Sequence, residues 1–403
     1  MSKKQFSIAL VGYGFMGAAH SQAWRVAPRF FELPVEPRMA VIVGRNPARV
    51  EAAAERFGWA EAETQWRRVI ERDDIDLVDI CSPGFTHAEI AIAALEAGKH
   101  VLCEKPLANT VAEAQRMADA AERAAAHGAY AMVGFSYRRV PAITFARDLV
   151  AAGKIGQLRQ VRALYLQDWL VDAEGPMTWR LDKDLAGSGS LGDIGAHAID
   201  AVQFITGRPV TSVSGVLETL VPERPLLGES VGLSGTASSE RGRVTVDDVA
   251  LFTARLDGGV LASFEATRYA TGRKNAFRLE FSGSKGAIAF DFERMNELDF
   301  YDATDQSGQN GFRRILVTEP EHPYLSAWWP TGHGLGYEHP FSHQVRDLLI
   351  DIAAGTQPRP SFDEGLQVQR VLEAVEASSA DGSRWVRVEH HGNAAEREQG
   401  RNL

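Results

Sequence analysis

Phe6-Ser7-Ile8-Ala9-Leu10-Val11-Gly12-Tyr13-Gly14-Phe15-Met16-Gly17 is the stretch on which the fold turns. A short apolar run of strand type meets three glycines in the spacing G-x-G-x-x-G, and a helical stretch follows at once. In that context Gly12 permits a tight turn, Gly14 lets the main chain approach a pyrophosphate, and Gly17 lets helix and strand pack closely. Phe15 and Met16 open the helix, whose unpaired N–H groups suit phosphate oxygens. The pattern predicts the first βα unit of a dinucleotide-binding sheet.

Outward from this unit the same rhythm continues. A segment holding Pro28, Pro34 and Pro37 leads to a second apolar run, Met39–Val43, and a helix from Pro47 to Phe57. Strand-type Leu77–Cys81 precedes a helix at His87–Ala97. Val101–Cys103 precedes an Ala-rich helix at Val111–His127, and Ala131–Val133 is strand again. Short apolar strands alternating with helices of ten or more residues indicate parallel βαβ units. We expect a doubly wound α/β Rossmann domain over 1–138.

After a helix at Pro141–Ala152 the rhythm changes to longer β-type stretches. These are Leu158–Tyr165, Val210–Val221, Val244–Leu256, Val260–Thr267, Phe277–Phe281 and Ile288–Phe292, with a hairpin signal at Asp257-Gly258-Gly259. A mostly antiparallel sheet with one inserted helix, Leu191–Ile205, fits this pattern, closed by helices near Pro340–Ala354 and Gly365–Ala377. Residues 223–243 and 303–312 read as loops. An α+β domain over 139–390, for substrate binding and oligomerisation, and a polar tail over 391–403 complete the expected organisation.

Composition bounds the function. The 403 residues carry 43 Lys plus Arg against 53 Asp plus Glu, a net charge of −10, with no long basic run. That argues against nucleic acid or an anionic membrane as partner. Two cysteines cannot staple a chain of this length, which points to a reducing, cytoplasmic setting. Cys81 and Cys103 end strands and read as buried thiols. We expect neither a signal peptide nor a spanning helix. The His, Cys and Asp spacings show no zinc pattern, so no metal is expected.

At the second strand end, where NAD-preferring sites carry an acid for the ribose 2′-hydroxyl, the sequence has Val43-Gly44-Arg45-Asn46. Arg45 suits a 2′-phosphate or a stacked adenine, which leans to NADP without excluding NAD. Ser82-Pro83 and His87 follow the next strand end. His87 reads either as a contact to nicotinamide ribose or as a helix-capping residue. Glu104-Lys105-Pro106 ends another strand, so Lys105 points to the crevice where open α/β sheets bind ligands. Its ammonium can polarise a hydroxyl or carbonyl.

Gly192-Asp193-Ile194-Gly195-Ala196-His197 forms a second constellation, with Asp200 three residues further. Four residues apart on a helix, Asp193 and His197 share a face, so the carboxylate can orient the imidazole while it handles a substrate proton. The Gly-rich approach Ala186–Gly192 suggests main chain packed closely against a ligand or a neighbour.

Taken together, Gly12-x-Gly14-x-x-Gly17, Glu104-Lys105-Pro106, Gly134-Phe-Ser-Tyr-Arg138 and Asp193-x-x-x-His197, in this order, resemble the Gfo/Idh/MocA oxidoreductases (glucose–fructose oxidoreductase, inositol dehydrogenase and relatives). The resemblance spans nearly the whole chain. It implies a Rossmann domain with an open-faced α+β domain, NAD or NADP as cofactor, a homodimer or homotetramer, and Lys105, Asp193 and His197 as the catalytic set. Ser136 departs from the Asn that relatives often carry. Gln167-Asp168-Trp169 and Thr178-Trp179-Arg180-Leu-Asp182-Lys183 resemble a subgroup that oxidises anhydrosugars such as levoglucosan. That implies NAD, and a sugar pocket of Tyr137, Gln167 and Trp169 reached by His339. Against this, some of Trp169, Trp179, Trp328 and Trp329 must be ordinary core or interface aromatics.

The expected reaction is oxidation of a secondary ring hydroxyl of a sugar, anhydrosugar or cyclitol, giving a 3-keto sugar from a levoglucosan-like substrate. Two alternatives stand beside it: a glycosidase of the same fold using transient oxidation, and a cofactor-sensing regulator without turnover.

Overall fold

The computed structural model describes residues 3–231 and 234–389, the side chains of 227–237 excepted. The tail expected over 391–403 lies outside the described residues. Along the chain run β1 (Gln5–Val11), α1 (Phe15–Phe30), β2 (Glu36–Val43), α2 (Pro47–Phe57), β3 (Glu61–Glu63), α3 (Trp66–Ile70), β4 (Leu77–Ile80), α4 (His87–Glu96), β5 (His100–Cys103), α5 (Val111–Ala125) and β6 (Ala131–Val133). Every pairing among the six strands is parallel, in the order β3-β2-β1-β4-β5-β6. The strand order reverses between β1 and β4, and at such a switch point the carboxyl ends open a ligand crevice. Gly12, Gly44, Ser82, Glu104 and Gly134 all follow these strand ends.

There follow α6 (Pro141–Ala151), β7 (Leu158–Leu166), α7 (Lys183–Ala186), α8 (Ala196–Thr206), β8 (Val210–Glu218), β9 (Glu223–Val231), β10 (Ser234–Arg243), β11 (Val249–Leu256), β12 (Leu261–Thr267), β13 (Ala276–Gly283), β14 (Gly286–Asp291), β15 (Glu297–Asp302), β16 (Arg313–Leu316), α9 (His339–Ala354), α10 (Phe362–Ala380) and β17 (Val386–Arg387). Nine of these strands form one sheet, β16-β15-β14-β13-β7-β12-β11-β8-β17, antiparallel except where β12 runs parallel to β7. Its strands alternate buried and exposed positions, so one face carries the core and the other stays open. Ile199 and Val202 of α8 and Val371 and Val375 of α10 fill the core face. Val216, Leu251 and Leu261 stand exposed on the other.

Helix α9 leaves the second half of the chain and returns to the first. Its Phe341, Val345, Leu348 and Leu349 are buried in one cluster with Phe6, Ile8, Leu10, Trp24, Leu102 and Met132. Among the described residues no helix is long and apolar enough to cross a membrane.

Three local readings are corrected. Pro28 lies inside α1 rather than beyond it. It lacks an N–H, but buried Trp24 and Ala27 hold the last turn against the core. Of the residues 223–243 read as a loop, those described are the antiparallel strands β9 and β10, whose register slips twice. Main-chain pairing and buried Arg224 hold them without a regular apolar alternation to read. The helix expected from Leu191 starts as a π-helical turn, Leu191–Gly195, and becomes α-helical only at Ala196.

Candidate active site

The glycine turn after β1 has the shape a pyrophosphate cradle needs. Gly12 has φ +107° and its main chain lies against Cys81, so a Cβ there would sit 2.7 Å from that residue's carbonyl. A Cβ on Gly17 would lie 2.1 Å from the Gly12 carbonyl oxygen, which fixes helix against turn. A Cβ on Gly14 would meet no atom within 4 Å. The protein itself therefore does not demand glycine at 14, and the open space in front of it suits a ligand's phosphates. Gly14 is also the N-cap of α1, and no side chain caps that end. These residues fit a dinucleotide. At the end of β2, Gly44 lies under the ring of Tyr13, Arg45 is exposed, and the Asn46 side chain caps α2 through the Arg49 N–H.

Two strands over from β1, Lys105 extends from the end of β5. Its Nζ donates to the main-chain oxygen of Asp193 at 2.6 Å and lies 3.5 Å from the Asp193 carboxylate. Arg268, fully buried, approaches the same carboxylate at 3.4 Å. Burial alone would raise the Asp193 pKa, yet Lys105, Arg268 and Arg180 hold it down to about 2. The carboxylate is thus an anion gripped by cations.

The π-helical turn carrying Asp193 is anchored by a residue that no reading of the sequence singled out. Asp247 accepts from Gly189 N and Leu191 N, both at 2.8 Å, from Ser190 Oγ at 2.7 Å and from Ser188 Oγ at 3.3 Å. The glycines before Asp193 therefore meet neighbours, not a ligand. A Cβ on Gly189 would lie 1.8 Å from the Asp247 main-chain oxygen, and one on Gly187 2.9 Å from Asn109.

His197 opens α8 and is buried. Its ring stacks on Tyr137 at 4.3 Å and meets Phe135 edge-on, and Nδ1 has no hydrogen-bond partner. Burial first, then the charge of Lys105, keep its pKa well below the ordinary value, so the imidazole is neutral. No hydrogen bond joins it to Asp193. The expectation that Asp193 orients the imidazole is corrected on this point: the carboxylate turns to Lys105 and Arg268. Asp200 is likewise no part of the site, since it pairs with buried Arg138 through two bonds of 2.9 and 2.6 Å.

A polar chain runs along the second sheet from His197. Tyr137 Oη lies 2.8 Å from Tyr165 Oη, Tyr165 donates to Asn275 Oδ1 at 2.8 Å, and Gln167 Nε2 donates to the same oxygen at 2.8 Å. Trp169 Nε1 donates in turn to Gln167 Oε1 at 2.9 Å. Trp169 is 46% exposed, and the Arg268 guanidinium sits 5.5 Å from its ring. Burial pushes the Tyr137 hydroxyl up to about 12. A half-exposed aromatic face beside ordered amides and hydroxyls suits a polyhydroxylated ring.

Of the residues expected here, Lys105, Asp193, His197, Tyr137, Gln167 and Trp169 come together. Two do not. His87 is buried, and its nitrogens face the carbonyl oxygens of Pro106 at 3.1 Å and Ser82 at 2.9 Å, which leaves neither for a cofactor. It does not cap the helix either, but clasps the two loops together. His339 packs on Trp328 at 4.5 Å and holds Gly336, away from the cluster. Nearby Tyr337 stacks on Phe15 of the glycine turn, and burial first, with Tyr137 and Glu104 close by, raises its hydroxyl pKa. Trp328 is a packing residue, seated on Phe30, Phe31 and His343.

Sequence reasoning missed Asp247, Arg268, Tyr165, Asn275 and Tyr337. It also left His20 unassigned, although a polar residue on the buried stripe Gly17, His20, Ser21, Trp24 was a usable signal. His20, Asp79 and Cys81 are the one group among the described residues whose donor atoms could surround a metal ion. The His20 ring and the Cys81 thiol are already engaged with Asp79.

Comparison with known proteins agrees with this architecture. Residues 6–135 match the model described as "Oxidoreductase family, NAD-binding Rossmann fold", and residues 143–289 match the GFO/IDH/MocA C-terminal domain. A levoglucosan dehydrogenase of Pseudarthrobacter phenanthrenivorans is 41% identical over 391 residues, covering 96% of this chain and 98% of its own. The crystal structure of an oxidoreductase domain protein from Kribbella flavida superposes with a TM-score of 0.92 at 63% identity, over 96% of this chain and 100% of that one. A levoglucosan dehydrogenase solved with NADH and levoglucosan superposes with a TM-score of 0.90 at 41% identity, over 96% and 100%.

Proposed function

Because the chain belongs to the GFO/IDH/MocA family of NAD-binding oxidoreductases, we propose that it oxidises a secondary ring hydroxyl of a sugar, with an anhydrosugar of the levoglucosan type as substrate and a 3-keto sugar as product. One observation carries the reading: Lys105, from a strand end of the sheet that bears the glycine cradle, binds Asp193, close in the chain to His197, from whose ring the contacts run through Tyr137 to Gln167 and Trp169.

In this reading the neutral His197 imidazole takes the hydroxyl proton. The Lys105 ammonium stabilises the alkoxide that develops. Asp193, held anionic, fixes the ammonium in place and keeps the local charge balanced. A bound nicotinamide supplies the acceptor for the hydride leaving the carbinol carbon. Trp169 offers a face to the C–H side of the ring, while Gln167, pinned between Asn275 and Trp169, presents its amide to a hydroxyl.

NAD is the proposed cofactor. The relative solved with levoglucosan holds NADH, and Tyr13 covers Gly44 at the ribose end. The test is a panel of levoglucosan, other sugars and inositols with NAD and with NADP, read by nicotinamide absorbance. Reduction of NAD with levoglucosan is the expected result; no reduction with any sugar rejects the reading. Thermal-shift titration with each cofactor tests the preference separately.

A further inference from the structure

His20 lies three residues beyond the last glycine of the cradle and is 1% exposed. Its Nδ1 is 2.9 Å from both carboxylate oxygens of Asp79, at the core of β4. Its Nε2 is 3.0 Å from Oε1 of Glu104, at the end of β5. Trp24 Nε1 also donates to Asp79, at 2.7 Å. A neutral imidazole has a single N–H and would turn a lone pair toward one of the two carboxylates. An imidazolium donates to both. Burial alone would lower the ring's pKa, but the charge and hydrogen bond of Asp79 hold it well above the ordinary value.

Of the other groups around the ring, Cys81 acts in the same direction as Asp79. From the β4 end the Cys81 thiol faces Asp79 at 3.7 Å, and from β5 comes the buried Cys103 thiol. From α9 comes the uncharged ring of Phe341 at 5.5 Å, and Tyr337 stands just before it. Asp79 and Glu104 are therefore the carboxylates this ring separates.

Glu104 passes the constraint on. Its Oε2 accepts from the Lys105 main-chain N–H at 3.3 Å. A Cβ on Gly134 would lie 2.5 Å from Oε1, so β6 backs the carboxylate closely. Lys105 extends from this fixed main chain to Asp193.

We propose that His20, as an imidazolium, is a positioning residue for Lys105, linking the helix of the cofactor cradle through Glu104 to the reacting edge of the sheet. This rests on the role given to Lys105 above. It predicts that cradle and lysine move as one unit, because one ring bonds to both strand ends.

The first measurement needs no substrate. In wild-type protein labelled with 15N-histidine and free of cofactor, the His20 ring nitrogens should show the imidazolium pattern at about pH 8, where an ordinary histidine is neutral. A neutral pattern overturns the proposal. The second compares His20→Gln, which keeps one donor of the two, with Glu104→Gln, using levoglucosan and NAD. Each variant should lose about tenfold or more in kcat with KM within about threefold, and the double variant should lose no more than the worse single one. Wild-type kcat in folded His20→Gln overturns the proposal, and if that variant does not fold, Glu104→Gln decides by the same criterion. A wild-type protein without sugar turnover rejects the dehydrogenase reading, while the ring-charge result still decides the state of His20.

Discussion

Lys105 donates to the main-chain oxygen of Asp193 at 2.6 Å, a bond between the carboxyl end of β5 and the helical turn that leads into α8. It fixes the ammonium by the backbone as well as by the carboxylate. Replacing Lys105 with Met removes the charge while keeping the stem. Turnover should fall by about a hundredfold or more, the range for a positioned acid–base or charge-stabilising group. NADH affinity should stay within a few fold. Turnover near wild type in that variant would sink the assignment.

Gly14 and Gly17 should separate ligand from fold. Gly14→Ala adds a methyl that meets no protein atom, so stability should hold within about 0.5 kcal/mol, while NADH affinity drops about tenfold or more as the methyl enters the phosphate space. Gly17→Ala forces the helix off the Gly12 carbonyl and should cost about 1–3 kcal/mol. Urea denaturation and fluorescence titration of both variants test this; equal loss of stability in the two would refute it.

Asp247 caps the turn that holds Asp193. Asp247→Ala leaves two main-chain N–H groups and two hydroxyls without their acceptor, and should cost about 2–4 kcal/mol in urea unfolding. kcat should fall with it, and Asp247→Asn, which keeps one oxygen, should recover part of both. An unchanged unfolding midpoint in the Ala variant would contradict this role.

The His20 pair has a pH signature in stability. Its folded pKa is raised, so the stabilisation is fully present below the unfolded value of about 6.5 and is lost as pH rises through the folded value. The stability gap between wild type and His20→Gln should therefore be widest near pH 6 and narrow steadily toward alkaline pH. A gap that stays constant across that range rejects the charged ring.

The first sheet was legible because strands covered on both faces read as mostly apolar runs, each followed by a change of residue type at the strand end: Gly12, Gly44, Ser82, Glu104. The pairing of His20 with Asp79 and Glu104 was not, since positions 20, 79 and 104 become neighbours only through the order β1-β4-β5. The face shared by Asp193 and His197 was read on α-helical geometry, and the π-helical turn altered what the carboxylate meets. Asp247, Arg268 and Asn275 belong to segments whose local pattern is that of any half-buried sheet; only β7, β11, β12 and β13 lying side by side make them a site. The packing of His339 on Trp328 and of Tyr337 on Phe15 was not legible either, because the entry to α9 fixes which way each ring turns.

The return of α9 to the first sheet sets an order of events at the ribosome. Phe6, Ile8 and Leu10 emerge early, but Phe341, Val345, Leu348 and Leu349 emerge only after most of the chain has been made. Through that interval the nascent protein carries an apolar face with its glycine turn already translated and its cover still missing. The region that is born first thus waits for its cover until late in synthesis, and a chain stopped short of α9 would present to chaperones and proteases a surface that the finished molecule never shows.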